Sequence, residues 1–406
     1  MIWSIAWRNV WRNKVRSIVM IVAIALGLVA GVFTMAFMQG SVNAKIESTT
    51  KSELSHLQIH APHFSENKEI SYFISNSTKL VSEIESLDSV EAASPRLIAE
   101  PFITAAHGTG GGKLIGVKPE KEKNVTDISE QVIKGTYLEK NSRMPPVLIG
   151  EKLAKKLKLK IGSKINVQMV DLEGNLSAKG YRVGGIYRTA NTTFDANNLF
   201  IRYRDLQQQL GIEKDAAHEI AIRIKSGDEA GLIKPSIKKI AGDYIVETWK
   251  ELSPEMSLLT DSMNQYMYIF IMIILLGLCF GIINTMLMAV LERVKEIGML
   301  MAVGMNRRRI FGMIILESVL LTITGGFIGI LTGAAITKYF ETTPIDISMF
   351  SKGLEKFGFA TQVYTSYNTE TLVTIAVLVI ITGLISAVYP ARKALKLNPA
   401  EATRSD

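Results

Sequence analysis

The sequence predicts an α-helical membrane protein with four transmembrane helices and a large α+β extracytoplasmic domain inserted between helices 1 and 2. Three observations predict it. First, four apolar runs reach bilayer length: 18–38 has 21 residues and no charge, 262–291 has 30 and none, 310–337 carries only Glu317, and 371–389 has 19 and none. About 20 apolar residues cross ~30 Å of hydrocarbon. Second, basic residues crowd the short flanks: 1–17, 292–309 and 390–406 hold thirteen Lys and Arg against four acids, while 39–265 holds 30 basic and 29 acidic residues. That asymmetry places both termini in the cytoplasm. Third, 39–265 is long and mixed enough to build its own core. The formal charge of +8 therefore reads as a topology signal, and no nucleic-acid partner is expected. Cys279, the only cysteine, falls within a span, so no intrachain disulfide can form.

Residues 1–17 form a cytoplasmic interfacial helix. Trp3, Trp7 and Trp11 recur every four residues on one face, with Arg8, Arg12 and Arg16 as a second row, which suits indoles among lipid headgroups and guanidinia toward phosphate. Helix 1 and its stalk take 18–52; the run exceeds the ~7 to 15 apolar residues of a signal peptide, so it is read as an uncleaved span. The extracytoplasmic domain occupies 53–252. Within it, His56 to His60 alternates as a strand, Lys79 to Leu87 has helical spacing, and 90–104 is strand-like but broken at Pro95 and Pro101. A β-rich insert covers about 113–212, with strands at KLIGV, PVLIG, KINVQMV, YRVGGIY and NLFIRY and a helix from Glu151 to Leu159. EIAIRIKS, EAGLIKPSIKKIAG and YIVETW then repeat strand, helix, strand.

Ser253 and Pro254 signal the start of a second stalk and span over 253–291. Unbroken from Pro254 to Leu291, its 38 residues measure about 57 Å, more than a bilayer. In 292–309, Val294, Ile297 and Met301 give a short amphipathic helix that Gly304 ends, and Asn306 caps the next span. Spans follow at 310–337 and 371–389, with an extracytoplasmic loop at 338–370 and a cytoplasmic tail at 390–406. Gly27 and Gly31, and Gly325, Gly329 and Gly333, are spaced for close helix approach, either within one bundle or between subunits. Glu317, two turns into its span, is expected to face protein or water rather than lipid.

Enzymatic motifs are not evident. HGTGGGKL at 107–114 lacks the first glycine and the hydroxyl of a phosphate loop, and reads instead as a mobile loop. His56, His60 and His63 alternate as a strand would and form a poor metal set. The chain is expected to be non-catalytic, with no metal and no cofactor of its own.

ERVKEIGMLMAVGMNRRRI, at 292–310, resembles the E-R-x-x-E-I-G-x-x-x-A-x-G-x-x-x-x-x-I signature of MacB/FtsX-type ABC transporter permeases. YPARKALKLNPAEATR, at 389–404, looks like their C-terminal P-A-x-x-A-x-x-x-x-P-x-E-A-L-R motif, with Thr403 in place of leucine, and AWRNVWRNKVRS is similar to their basic N-terminal helix. The resemblance covers the whole chain. It implies a cytoplasmic ABC ATPase dimer as partner, which binds ATP and Mg, and a second permease, identical or paralogous. It makes 292–309 a coupling helix, with Glu292, Arg293, Glu296 and Ile297 and Gly298 docking on the ATPase and Ala302 and Gly304 permitting close approach.

MPPVLIGEKLAKKLKLKIGSKI and GYRVGGIYRTANTTFDANNLFI, with FMQG at 37–40 and SHLQIH at 55–60, are more similar to the lipoprotein-releasing Lol-type permeases than to MacB exporters. That implies mechanotransmission in a bacterial inner membrane: ATP hydrolysis by the separate ATPase extracts a lipoprotein or similar amphiphile from the outer leaflet, with a periplasmic carrier or adaptor downstream. Met263, Tyr266, Met267 and Phe270 are candidate cargo-facing residues, packing against a neighbouring span being the competing account. The alternatives are a MacB-like efflux permease for peptides or drugs and an FtsX-like signalling permease that controls an extracytoplasmic hydrolase.

Overall fold

The computed structural model describes residues 2–139, 144–350, 353, 362–367 and 369–396, with backbone alone at 2–6, 228, 264 and 350. In chain order, α1 is Ile2–Arg12, α2 Lys14–Thr49, β1 Leu57–His60, α3 Phe64–Asn67, α4 Ser77–Glu85, β2 Val90–Ala99, β3 Phe102–Ala105 and β4 Gly108–Gly111. Next come β5 Lys113–Val117, α5 Pro119–Val125, β6 Val132–Gly135, β7 Pro146–Gly150, α6 Glu151–Lys156, β8 Lys164–Val170, β9 Leu176–Tyr187, α7 Thr192–Asn197, β10 Asn198–Arg202 and α8 Tyr203–Leu210. The remainder are β11 Glu219–Ile224, α9 Ala230–Ala241, β12 Ile245–Thr248, α10 Trp249–Leu252, α11 Pro254–Glu292, α12 Val294–Ala302, α13 Arg307–Thr342, β13 Ile345–Asp346, β14 Gln362–Val363 and α14 Thr369–Leu395. The chain divides into two units, one of Met1–Asn43, Thr260–Asp346 and Gln362–Asp406, the other of Ala44–Leu259 and Ile347–Thr361.

The first unit is helical. α2, α11, α13 and α14 are the four described helices long and apolar enough to cross a membrane. Their shared core joins Ile24, Leu28 and Val32 of α2 to Ile282 and Met286 of α11, Ile314 and Leu321 of α13 and Val379 of α14. Glycines decide how the helices meet. A Cβ on Gly329 would stand 2.8 Å from the Ala25 carbonyl and one on Gly325 2.9 Å from Ile24, so the α13 glycine row receives α2. Gly27 and Gly31 face Leu278 and Ile274 of α11 in turn. Both rows are thus spent within this chain. α14 also runs through Pro390 to Leu395 instead of stopping at Tyr389; the rest of the C-terminal motif, 397–406, lies outside the described residues.

In the second unit, β1 lies between β11 and β12, all antiparallel, and β2 borders β11. α4 and α9 cover this sheet through Val81, Ile84 and Ile237, all buried with Ile59 and Ile220. β2 is the seam: Val90 to Arg96 pair with β11, and Leu97 to Ala99 pair with β5. Two expectations are corrected there. Pro95 does not break β2, because it sits where the strand exchanges one neighbour for the other and no ladder on the β5 side needs its missing N–H. The β-rich part also begins before 113, since Leu97, Ala99 and Ile103 share a core with Leu114, Val147 and Tyr181. The glycine-rich run is likewise no loose loop: β4 pairs with β3, which pairs with β8.

Candidate functional site

The stretch 292–310 folds into a joint and a short helix. α11 ends at Glu292 and α12 begins at Val294, so Arg293, at φ −101° and ψ 18°, is the single non-helical residue between them. α12 stops at Ala302; Gly304, at φ +98°, takes a left-handed turn that a side chain would strain. The Asn306 side chain then accepts a hydrogen bond from the Arg308 N–H and starts α13.

Which way the helix faces follows from what its residues touch. Ile297 and Gly298 are buried against the bundle, and Ile297 shares its core. Arg293 also turns inward: its Nη1 donates to both Glu317 oxygens at 3.0 and 3.1 Å, and its Nη2 donates to the Asn9 carbonyl at 3.0 Å. Glu317 is buried and Arg293 mostly so, with side chains 8% and 12% exposed. Glu317 therefore faces protein, and its partner lies 24 residues upstream, where no helical spacing points. At the surface, Arg12 donates to Glu296 and Arg16 pairs with Glu292. Two of the three arginines expected to face phosphate are thus held by acids of this chain. Lys295, Met299, Ala302, Val303 and Gly304 remain exposed.

α1 is anchored, not merely adsorbed. Val10 is buried in the bundle core beside α13. Trp7 and Trp11 stay exposed, edge to face at 6.1 Å; the Trp3 side chain lies outside the described residues. A cavity of about 350 Å3 opens between α1, the joint and α13, lined by Asn9, Arg12, Met286, Met299, Met313 and Glu317 among others. The four candidate cargo residues, at i, i+3, i+4 and i+7, share one face of α11 but differ in exposure. Tyr266 and Phe270 are exposed; Met263 is half-buried, and Met267 lines a cleft with Val32 and Met35 of α2 and Leu372 of α14.

The second unit carries its own buried charge cluster, which sequence spacing did not announce. Arg96 on β2 grips Glu122 of α5 with Nη2 at 2.6 Å and Nε at 3.2 Å, and Glu219 of β11 with Nη1 at 2.6 Å. His60 on β1 reaches Glu219 at 3.6 Å and Glu247 of β12 at 3.2 Å. Burial pushes the Glu219 carboxyl up, but Lys113, Arg96 and His60 outweigh it and hold its pKa far below the usual carboxylate range. Burial pulls His60 down, yet its two carboxylate partners leave its pKa above the ordinary histidine value. The three histidines do not converge: His56 accepts from the Ile224 N–H at 3.1 Å, and His63 is exposed beside Glu66. Among the described residues, no group of three or more His, Cys, Asp or Glu is placed to hold a metal.

Two family models match the chain, the MacB-like periplasmic core domain over residues 17–240 and the FtsX-like permease C-terminal over 268–399. An uncharacterized ABC transporter permease of Methanocaldococcus jannaschii is 28% identical over 71% of this chain and 69% of its own length. The lipoprotein-releasing system transmembrane protein LolC of Buchnera aphidicola is 23% identical over 71% of each. The macrolide export ATP-binding/permease protein MacB of Agrobacterium fabrum is 25% identical over 59% of this chain, which spans 35% of that longer protein. Among solved structures, the periplasmic region of MacB from Actinobacillus actinomycetemcomitans matches with a TM-score of 0.34 at 10% identity, covering 51% of this chain and 91% of that one.

Proposed function

The chain belongs to the MacB/FtsX-type ABC transporter permeases, and from that premise we propose that it transmits work from a separate cytoplasmic ATPase dimer, which binds ATP and Mg, to its extracytoplasmic domain. The observation that carries this reading is the form of 292–304: a short helix hinged by one residue to a 39-residue helix, pinned on its inner side and exposed on its outer. The exposed Lys295 and Ala302 would meet the ATPase, with Glu292 and Glu296 at the rim and Gly304 allowing close approach. α2 and α11 both contribute residues to each unit, so each supplies an unbroken run of backbone hydrogen bonds along which a displacement at the cytoplasmic end can travel. α11 is the least buried of the four candidate spans; its apolar outer face would meet lipid or a second permease, identical or paralogous. Both termini would lie in the cytoplasm.

The cargo we infer is a lipoprotein or similar amphiphile lifted from the outer leaflet of the membrane, supported by the LolC relatives, whose match covers 71% of both chains in the Buchnera protein. Tyr266 and Phe270, exposed on α11, would be the first residues such a cargo meets. A MacB-like efflux permease is the second reading, favoured by the MacB-like core match over 17–240. Reconstitution in nanodiscs with the cognate ATPase separates them. Acylated lipoprotein should stimulate ATP hydrolysis and its deacylated form should not; equal stimulation by both, or stimulation by a soluble peptide or drug alone, removes the lipoprotein reading.

A further inference from the structure

We propose that Arg293 is a positioning residue rather than a docking one: paired with Glu317, it latches the joint between α11 and α12 and so sets the resting angle at which α12 is offered to its partner. This deepens the coupling role proposed above and rests on it. The signature at 292–310 runs through both faces of the helix, and only coordinates divide them. Its inner residues, Arg293, Ile297 and Gly298, are turned into the bundle, while Lys295 and Ala302 are exposed and lie off the cavity that Met299 and Val303 line.

One guanidinium ties three elements. Its fork reaches Glu317 in α13 and the Asn9 carbonyl in the last turn of α1, and it grows from the one residue at which the α11–α12 chain is free to bend. The planar fork divides, one nitrogen on the carboxylate and the other on the carbonyl, and lysine has no such pair of fixed donors. The α1 carbonyl adds the negative end of a helix dipole to the attraction. Glu317 in turn has reason to exist only with Arg293 in place, since an ionised carboxylate inside an apolar helix is costly when unpaired. The neighbouring cavity of about 350 Å3 matters as much as the bonds. Close-packed interiors transmit displacement without rearranging, whereas here α12 has free volume beside its pivot, so the latch rather than packing defines where the helix rests.

The test uses the full chain in nanodiscs, alone and with its ATPase, and reads hydrogen exchange over 294–302 by mass spectrometry. Glu317→Gln and Arg293→Gln should each speed exchange in α12 by about tenfold or more, as local opening no longer breaks a buried pair, while α14 exchange stays unchanged. The double variant Arg293→Glu with Glu317→Arg should return it toward the parent rate, and Arg293→Lys should fall between. In the complex, the single variants should lower ATP-driven coupling more than ATPase affinity, whereas Lys295→Glu on the outer face should lower affinity. Unchanged α12 exchange in both single variants overturns the latch, as does exchange raised equally in α14, which would mean general unfolding. If exchange responds as expected but Lys295→Glu leaves ATPase binding intact, the latch stands and the docking face proposed above falls.

Discussion

Arg96 in the sheet unit is buried and Arg293 in the helical unit nearly so, yet their surroundings give the two guanidinia opposite work. Arg96 has more acid than it needs: two carboxylates grip it at 2.6 Å, and His60 and Glu247 extend the chain of charge across five elements. Arg293 has one carboxylate, one carbonyl and a cavity beside it. The same ion pair therefore fixes a fold where it is surrounded and closely packed, and defines a position where it stands at a bend with free volume alongside.

The largest effect expected from this contrast is at Arg96. Arg96→Met leaves Glu122 buried without its cation and Glu219 with only Lys113 and His60, at a cost of about 3–5 kcal/mol, a large share of the roughly 5–15 kcal/mol that stabilise a domain. Trp249, buried in the core shared with Ile59 and Ile220, reports it: with Trp3, Trp7 and Trp11 changed to Phe, urea unfolding of the full chain in detergent followed by fluorescence should shift to much lower denaturant. A loss below 1 kcal/mol would mean that water reaches the cluster, and the contrast with Arg293 would lapse.

Of intermediate size is the pH response of the same cluster. The folded His60 pKa lies above its ordinary value, so its contribution is complete below that value and is lost as pH rises through the raised one. Glu219 behaves in reverse: its pKa is depressed, so its contribution is present above the ordinary carboxylate value and lost as pH falls through the depressed one. Stability of the sheet unit should therefore fall from mildly acidic toward alkaline pH, and His60→Gln should flatten that slope. An unchanged slope in the variant would remove His60 from the cluster's energetics. Arg293 faces no histidine among its described hydrogen-bonding and ion-pair partners, so α12 exchange should not follow the same curve.

How much of this could be read beforehand depended on whether the signal was local. The four long helices announce themselves because a charge-free run of bilayer length has few other uses, and Ser253 and Pro254 marked the start of α11 to the residue. Gly304 and Asn306 were equally legible, since a left-handed turn and a cap each demand particular residue types. β5, β7, β8 and β10 stood out by their apolar, branched content. β4 did not, because four residues of GTGG have no strand preference and are held only by pairing with β3. Neither buried arginine was legible. Glu219 is 123 residues from Arg96, and Arg293 points inward because one backbone position leaves the helix, a fact no periodicity carries.

The smallest effect sharpens the comparison most cheaply. Arg12 and Glu296 form an ion pair as short as the buried ones, at 2.7 Å, but each side chain is 50% exposed. Water already solvates both charges, so little is gained by bringing them together, and two long side chains lose freedom in doing so. Arg12→Ala should change thermal unfolding of the helical unit by about 0–1 kcal/mol, and the difference should vanish near 1 M salt, where screening acts within ~3 Å. Distance alone would rank this pair beside Arg96–Glu219. A loss as large as that of Arg96→Met, or one indifferent to salt, would mean that contact rather than burial sets the energy, and Arg293 would then have no claim to be the residue that holds α12.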